Sequence, residues 1–265
     1  MLVDQLRFDG KRALVTGAAS GMGRATAATL IELGAEVHAL DLNEPDFPVA
    51  SFEQTDLRDA TAIERSVAAI GGPVHVLANC AGMPQTFPAA DVWRCNFVGL
   101  RHLTEAVVPL MPRGGVVGCI SSIAGEGWQL KVADLNDVVD DLSVDAASAW
   151  FDQHQGDDDP YVLSKQAVNL YIARRCVSLA QQGIRINSIS PGAVDTGMRS
   201  HFEEVVGADG FASVGSVIGR VAEPQEPANV LVFLLTDAAS YVTGSNVLVD
   251  GGFIASIVAS QGTWT

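Results

Sequence analysis

Between residues 12 and 249, short β-rich apolar runs alternate with segments of helical periodicity, and this alternation constrains the fold more than any other feature of the chain. Residues 12–15, 35–40, 74–78, 116–120, 184–189 and 246–249 read as strands bounded by turn residues. Between them apolar spacing changes to three and four, as in Ala25, Ala28, Thr29 and Leu33, with Gly34 as a helix stop. Strands that recur only after a helix are parallel partners, because a parallel neighbour is reached through a crossover. The expectation is an α/β Rossmann fold: one domain over residues 1–265, with a doubly wound parallel sheet of about seven strands and helices on both faces. No repeat or long linker divides the chain, and its 265 residues suffice for a single large core.

Charge and composition remove several function classes. With 16 basic and 31 acidic residues the net charge is −15, and no Lys/Arg cluster offers a local exception, so nucleic acid and anionic membrane surfaces are disfavoured partners. The longest apolar run, 230–235, is far too short to span a bilayer, and Asp4 and Asp9 interrupt any signal-like start. These features predict a cytoplasmic protein. Cys80, Cys95, Cys119 and Cys176 lie far apart without metal-ligand spacing, so no metal site is expected and the thiols read as reduced packing residues.

One segment breaks the rhythm. Residues 126–160 hold ten acidic residues and one Lys, a net −9 that leaves −6 for the rest of the chain. Within this helical insertion Leu135, Val138, Val139 and Leu142 follow helical spacing opposite Asp134, Asp137, Asp140 and Asp141. Ser143 can cap a second helix bearing Val144, Ala147, Trp150 and Phe151, with Gly156 as its stop. A solvated decoration and a lid or subunit-facing element both fit this pattern.

The candidate chemistry sits where strands end. Thr16-Gly17-Ala18-Ala19-Ser20-Gly21-Met22-Gly23 leads from a strand directly into a helix, whose free N–H groups form an anion site open to a pyrophosphate. Asp41 closes the next strand and is placed to accept from a ribose 2′-OH while repelling a 2′-phosphate; no Lys or Arg stands at 40–44. That favours NAD, although Asp is also a common turn residue. Tyr161 and Lys165 are four apart after an Asp159-Pro160 helix start, so they share one face of the first two turns. The ammonium and the positive helix end should stabilise a phenolate. A surface Tyr/Lys pair is the alternative.

Thr16 to Gly23, Asp56, Asn79-Cys80-Ala81-Gly82, Asn96, Ser122, Tyr161 with Lys165, Asn187, Pro191-Gly192 with Thr196, and Asp250-Gly251-Gly252 together resemble the short-chain dehydrogenase/reductase family, in order and over nearly the whole chain. The resemblance implies Tyr161 as general acid/base, Lys165 on the nicotinamide ribose, Ser122 on the substrate oxygen and Asn96 holding a relay water. It also implies NAD contacts from Gly17, Ser20, Gly21, Met22, Gly23, Asp41, Leu42, Asp56, Leu57, Asn79, Ala81, Gly82, Tyr161, Lys165, Pro191, Gly192, Val194 and Thr196.

Ser122 and Tyr161 are 39 residues apart, much further than in most of the family, and the excess is the acidic insertion. This resembles a bacterial subgroup that includes 3α-hydroxysteroid dehydrogenase/carbonyl reductase and coniferyl-alcohol dehydrogenase. The implied activity is NAD-dependent interconversion of an alcohol with its ketone or aldehyde on a bulky apolar ring, 3α-hydroxysteroid-like. The alternatives are an aryl or allylic alcohol dehydrogenase and, in another class, a non-catalytic NAD-binding sensor or scaffold. Met83, Trp128, Met198, Phe202, Phe211 and Phe253 are the candidate pocket residues. The glycine-rich stretch 193–220 is expected to be a substrate-covering loop, with a rigid surface helix as the alternative. A homodimer is expected by resemblance, with a homotetramer as the alternative.

Overall fold

The computed structural model describes residues 1–260 apart from 141, 142, 155, 157 and 216. Seven parallel strands form one sheet: β1 (Arg12–Thr16), β2 (Glu36–Asp41), β3 (Ser51–Gln54), β4 (Val76–Asn79), β5 (Val116–Ile120), β6 (Arg185–Pro191) and β7 (Asn246–Val249), in the order β3-β2-β1-β4-β5-β6-β7. Six are the strands read from the sequence. β3 is the exception, because Ser51-Phe52-Glu53-Gln54 pairs only with β2 at the sheet edge and carries no continuous apolar run. The register sets Thr16 beside Leu40 and Asn79, and Asn79 beside Cys119, so the carboxyl ends of the central strands lie along one edge. The order reverses between β1 and β4, where doubly wound sheets open a crevice for ligands.

The helices are α1 (Leu2–Gln5), α2 (Gly21–Glu32), α3 (Ala60–Ile70), α4 (Ala89–Trp93), α5 (Leu100–Val107), α6 (Val132–Asp140), α7 (Val144–His154), α8 (Pro160–Gln181), α9 (Arg199–Val206), α10 (Ala208–Val214), α11 (Gln225–Leu235) and α12 (Phe253–Ser260). One face of the sheet is packed by α2 and α11 through Ala27, Leu30, Leu231 and Leu235. The approach there is so close that a Cβ on Gly118 of β5 would stand 2.8 Å from a methyl of Leu231. The opposite face is covered by α3, α5 and α8 through Ile63, Leu103, Val168 and Ile172.

The acidic insertion is part of that second layer. Leu135, Val138 and Val139 of α6 and Ala147 and Phe151 of α7 are buried, as their spacing predicts; Leu142 and Asp141 lie outside the described residues. Trp93, fully buried at the end of α4, donates from Nε1 to Ala147 O at 3.0 Å and stacks on Phe151 and Trp150. Buried Arg101 of α5 donates to Val138 O and to Ser143 O. Ser143 Oγ accepts from Ala146 N–H as the expected cap.

Residues 199–214, expected as a loop, form the helices α9 and α10, which meet at Gly207 with φ +77°. Their regular 3–4 spacing of apolar residues wins over the glycine content.

Candidate active site

The glycine-rich turn is built by contacts that only glycine permits. A Cβ on Gly23 would sit 2.0 Å from Gly17 O, and one on Gly17 would sit 2.9 Å from Ala81 Cα, while Gly17 and Gly21 hold positive φ. Thr16 Oγ1 accepts from the N–H groups of Cys80 and Ala81, tying the end of β1 to the segment after β4. A groove of about 240 Å³ opens along this junction, lined by Gly17, Ser20 to Gly23, Asp41, Leu42, Asp56, Leu57, Ala81, Gly82 and Thr196. Asp41 Oδ2 accepts from Ala19 N–H at 2.9 Å and Oδ1 from Asn43 N–H at 3.0 Å, which fixes the carboxylate at the groove wall. Asp56 is held by Arg58, which also reaches Asp91, so its carboxyl lies below the usual carboxylate range.

A second cavity of about 350 Å³ adjoins this groove at Gly82, Thr196 and Met198. Its floor carries Ser122, Tyr161, Lys165, Pro191, Gly192 and Val194; its roof carries Phe202, Val205, Val206, Phe211 and Val214 from α9 and α10. Asp159 caps α8 by accepting from Tyr161 N–H and Val162 N–H, and Pro160 takes the first helical position. Tyr161 is buried, its ring edge-on to Phe202 at 5.4 Å, and burial pushes its phenol up to about 12 even though the Ser122 hydroxyl pulls it down. Lys165 Nζ donates to Ile120 O at 2.9 Å and lies 5.6 Å from the Tyr161 ring centre. Burial brings that ammonium down to about 8. The sequence predicts a lowered phenol; in the folded chain desolvation outweighs the Ser122 hydroxyl and the phenol is raised instead.

Asn96 lies in a π-helical turn, Arg94–Gly99, between α4 and α5. Its Oδ1 accepts from Met83 N–H at 2.7 Å and its Nδ2 donates to Met83 O at 2.9 Å. A Cβ on Gly82 would find Asn96 Oδ1 at 3.5 Å and Lys165 Nζ at 3.8 Å, so the three residues lie close together, but Asn96 is fully buried and lines neither the groove nor the cavity.

Some expected site residues lie elsewhere. Asn79 is buried in the sheet, donating to Thr104 Oγ1 at 3.0 Å, and faces neither space because the β4 register turns it toward α5. Met83 lines the groove rather than the cavity. Trp128, near the start of the insertion, packs against the core, and Phe253 begins α12; neither lines the groove or the cavity. The sequence reading missed Cys80, Cys95 and Thr55 in the groove and Gln85, Ile123 and Val162 in the cavity. Cys80 within the Asn79 to Gly82 motif, Ile123 beside Ser122 and Val162 beside Tyr161 had a positional signal; Cys95, Thr55 and Gln85 had none.

Comparison with known proteins settles the family. A family model described as short chain dehydrogenase matches residues 11–133, and one described as Enoyl-(Acyl carrier protein) reductase matches residues 142–254. D-erythrulose reductase of Gallus gallus is 30% identical over 95% of this chain and 98% of its own length. The chain belongs to the short-chain dehydrogenase/reductase family. Coniferyl-alcohol dehydrogenase of Pseudomonas sp. (strain HR199) is 28% identical over 96% of this chain and 100% of the relative. The solved 3-alpha-hydroxysteroid dehydrogenase from Pseudomonas sp. B-0831, complexed with NADH, superimposes with a TM-score of 0.79 at 27% identity, covering 96% of this chain and 100% of that one. This short-chain dehydrogenase/reductase is therefore an oxidoreductase of a family that binds a nicotinamide dinucleotide, with the expected single α/β sheet. The groove fits such a cofactor: it is walled by a turn closed so tightly that Gly17 and Gly23 admit no Cβ, and by a fixed carboxylate. Among the described residues no helix is long and apolar enough to cross a membrane, and no cluster suits a metal ion.

Proposed function

We propose that this enzyme interconverts an alcohol with its ketone or aldehyde on a bulky apolar ring substrate, 3α-hydroxysteroid-like, with NAD as cofactor. One observation carries the reading: Ser122, Tyr161 and Lys165 converge beneath an apolar cavity that joins the glycine-lined groove. A bound nicotinamide dinucleotide supplies the hydride acceptor or donor. The chain supplies the rest. Tyr161 Oη takes the alcohol proton in oxidation and returns it in reduction. Ser122 Oγ accepts from Ala124 N–H at 3.1 Å, which leaves its own O–H to donate to the substrate oxygen. Lys165, anchored by one N–H on Ile120 O, has two N–H groups left for the cofactor ribose. Because the Asn96 side chain is engaged by Met83, a relay water at Asn96 is held by its main-chain carbonyl in the π turn. Burial raises the Tyr161 phenol, and the Ser122 hydroxyl is the group of this chain that opposes the shift.

Asp41 supports NAD over NADP, since its carboxylate faces the groove and would repel a 2′-phosphate. Arg24, the nearest cation in sequence after the glycine turn, is paired with Asp46 at 2.7 Å. The exposed Leu248, Ile257 and Val258 on β7 and α12, a helix with no buried residue, support a homodimer through that face. Turnover of hydroxysteroids and aryl alcohols with NAD, and of cyclic ketones with NADH, tests the function. Activity confined to small polar polyols refutes the substrate, and unchanged turnover in Tyr161→Phe refutes the mechanism.

A further inference from the structure

The turn that presents Ser122 is fastened at both of its ends by one linked group of side chains. Ser122 opens a 3₁₀ turn, Ile123–Gly125, and Glu126 closes it. At the near end Ser190 Oγ of β6, fully buried, donates to Ser122 O at 3.0 Å. At the far end Asn246, the first residue of β7, donates from Nδ2 to Glu126 Oε1 at 2.8 Å. The two holds are joined, because Asn246 Oδ1 accepts from the same Ser190 hydroxyl at 2.9 Å and from Ser188 Oγ at 3.0 Å. Asn246, Ser188, Ser190 and Glu126 line neither the groove nor the cavity.

Strand register and hydrogen-bond chemistry give the Asn246 amide one orientation. Asn246 stands beside Ser188 in the β6–β7 ladder, and Ser190 follows two residues on, on the same face of β6. The Glu126 carboxylate can only accept, so it takes the amide N–H and turns Oδ1 to the two hydroxyls, which donate to it. The single proton of Ser190 is then shared between Asn246 Oδ1 and Ser122 O. From α8, Asn169 Nδ2 donates to Gly125 O at 3.1 Å and holds the middle of the turn. The ends are left to Asn246 and its partners, and one of those ends is Ser122. Misplacing a reacting group by about 1 Å costs about a hundredfold in rate, and a donor aimed at developing charge is effective only when it is fixed beforehand.

We propose that Asn246 is a positioning residue for the reaction: by gripping the Ser190 hydroxyl and the Glu126 carboxylate together, it sets where the Ser122 hydroxyl stands against the reacting oxygen. It acts through Ser122 alone. The inference rests on the reaction proposed above.

The test measures kcat and KM for a cyclic ketone with NADH, NADH affinity and the unfolding midpoint in the wild type, Asn246→Leu, Glu126→Leu and Glu126→Gln, and repeats Glu126→Leu in a Ser122→Ala background. Glu126 is only partly buried, so Glu126→Leu carries the test should Asn246→Leu fail to fold. Both leucine variants should lose about tenfold or more in kcat while NADH affinity stays within about twofold. Glu126→Gln keeps an acceptor for Asn246 and should stay within about threefold of the wild type. In the Ser122→Ala background Glu126→Leu should change kcat by less than about twofold, because the group it positions is gone. An unchanged kcat in the leucine variants overturns the proposal, as does the same loss with and without Ser122. A Glu126→Gln variant as slow as Glu126→Leu also overturns it, by assigning the effect to charge. Absence of wild-type turnover with every ketone sinks the reaction itself, a separate failure that takes this inference with it.

Discussion

Replacing Lys165 by Met should stabilise the folded chain at neutral pH while removing an ammonium on which the proposed reaction depends. Lys165 is buried, its Nζ is held by the single carbonyl of Ile120, and burial brings its pKa from 10.5 to about 8. In the unfolded chain the side chain stays near its ordinary value, so below pH 8 the fold must hold a proton that the unfolded state binds more tightly. At about 1.4 kcal/mol per unit, this is a penalty on the order of 3 kcal/mol at pH 7. Loss of the hydrogen bond to Ile120 O returns about 1–2 kcal/mol, so Lys165→Met should gain about 1–2 kcal/mol. The penalty is full below pH 8 and fades as pH rises from 8 towards 10.5, where both states lose the charge. Urea unfolding at pH 7 and pH 10.5, without dinucleotide and at one protein concentration, measures both ends. The stabilisation should be present at pH 7 and gone at pH 10.5. A Met variant less stable at pH 7, or one whose advantage is equal at both values, refutes the reasoning.

Three further outcomes follow from the groove and its cover. The wild type should favour NAD over NADP in kcat/KM by about tenfold or more, about 1.4 kcal/mol, and Asp41→Ala should narrow that ratio; a wild type that prefers NADP rejects the role given to the carboxylate. Gly23→Ala forces a Cβ to 2.0 Å from Gly17 O, so it should cost about 1–3 kcal/mol of stability and most of the NADH affinity in a fluorescence titration; an unchanged affinity contradicts the cradle. Amide exchange over residues 193–220 should slow when NADH and a substrate analogue bind together, if α9 and α10 close over the ring; equal protection in both states leaves a rigid roof.

How much of this was legible in the sequence depends on whether a residue's role is set by its own element or by another. The central strands are buried on both faces and spell themselves as apolar runs, whereas β3 pairs on one side only, and Ser51-Phe52-Glu53-Gln54 has no run to show. Tyr161 and Lys165 were legible because one helix turn relates them, and Gly17 to Gly23 because one turn needs all its glycines. Trp128 and Phe253 were misjudged for the converse reason: an isolated aromatic has no period, and only its partners decide between core and cavity. Asn79 was placed by its motif in the cofactor site, but strand alternation turned it into the sheet interior.

The insertion combines both cases. Its 3–4 spacing announced two amphipathic helices, yet their receptor is the single helical run that includes Trp93, Asn96 and Arg101. Trp93 immediately precedes the π turn and Arg101 follows it by two residues. The insertion thus clamps the run on both sides of Asn96, through Ala147 O on one and Val138 O and Ser143 O on the other. A helix widened to a π turn pays in hydrogen-bond geometry, and buried packing at both flanks fixes such a turn in place. An acidic segment that looks like surface decoration in one dimension is, in three, the outer wall of the helix that presents Asn96 to Lys165 and Gly82.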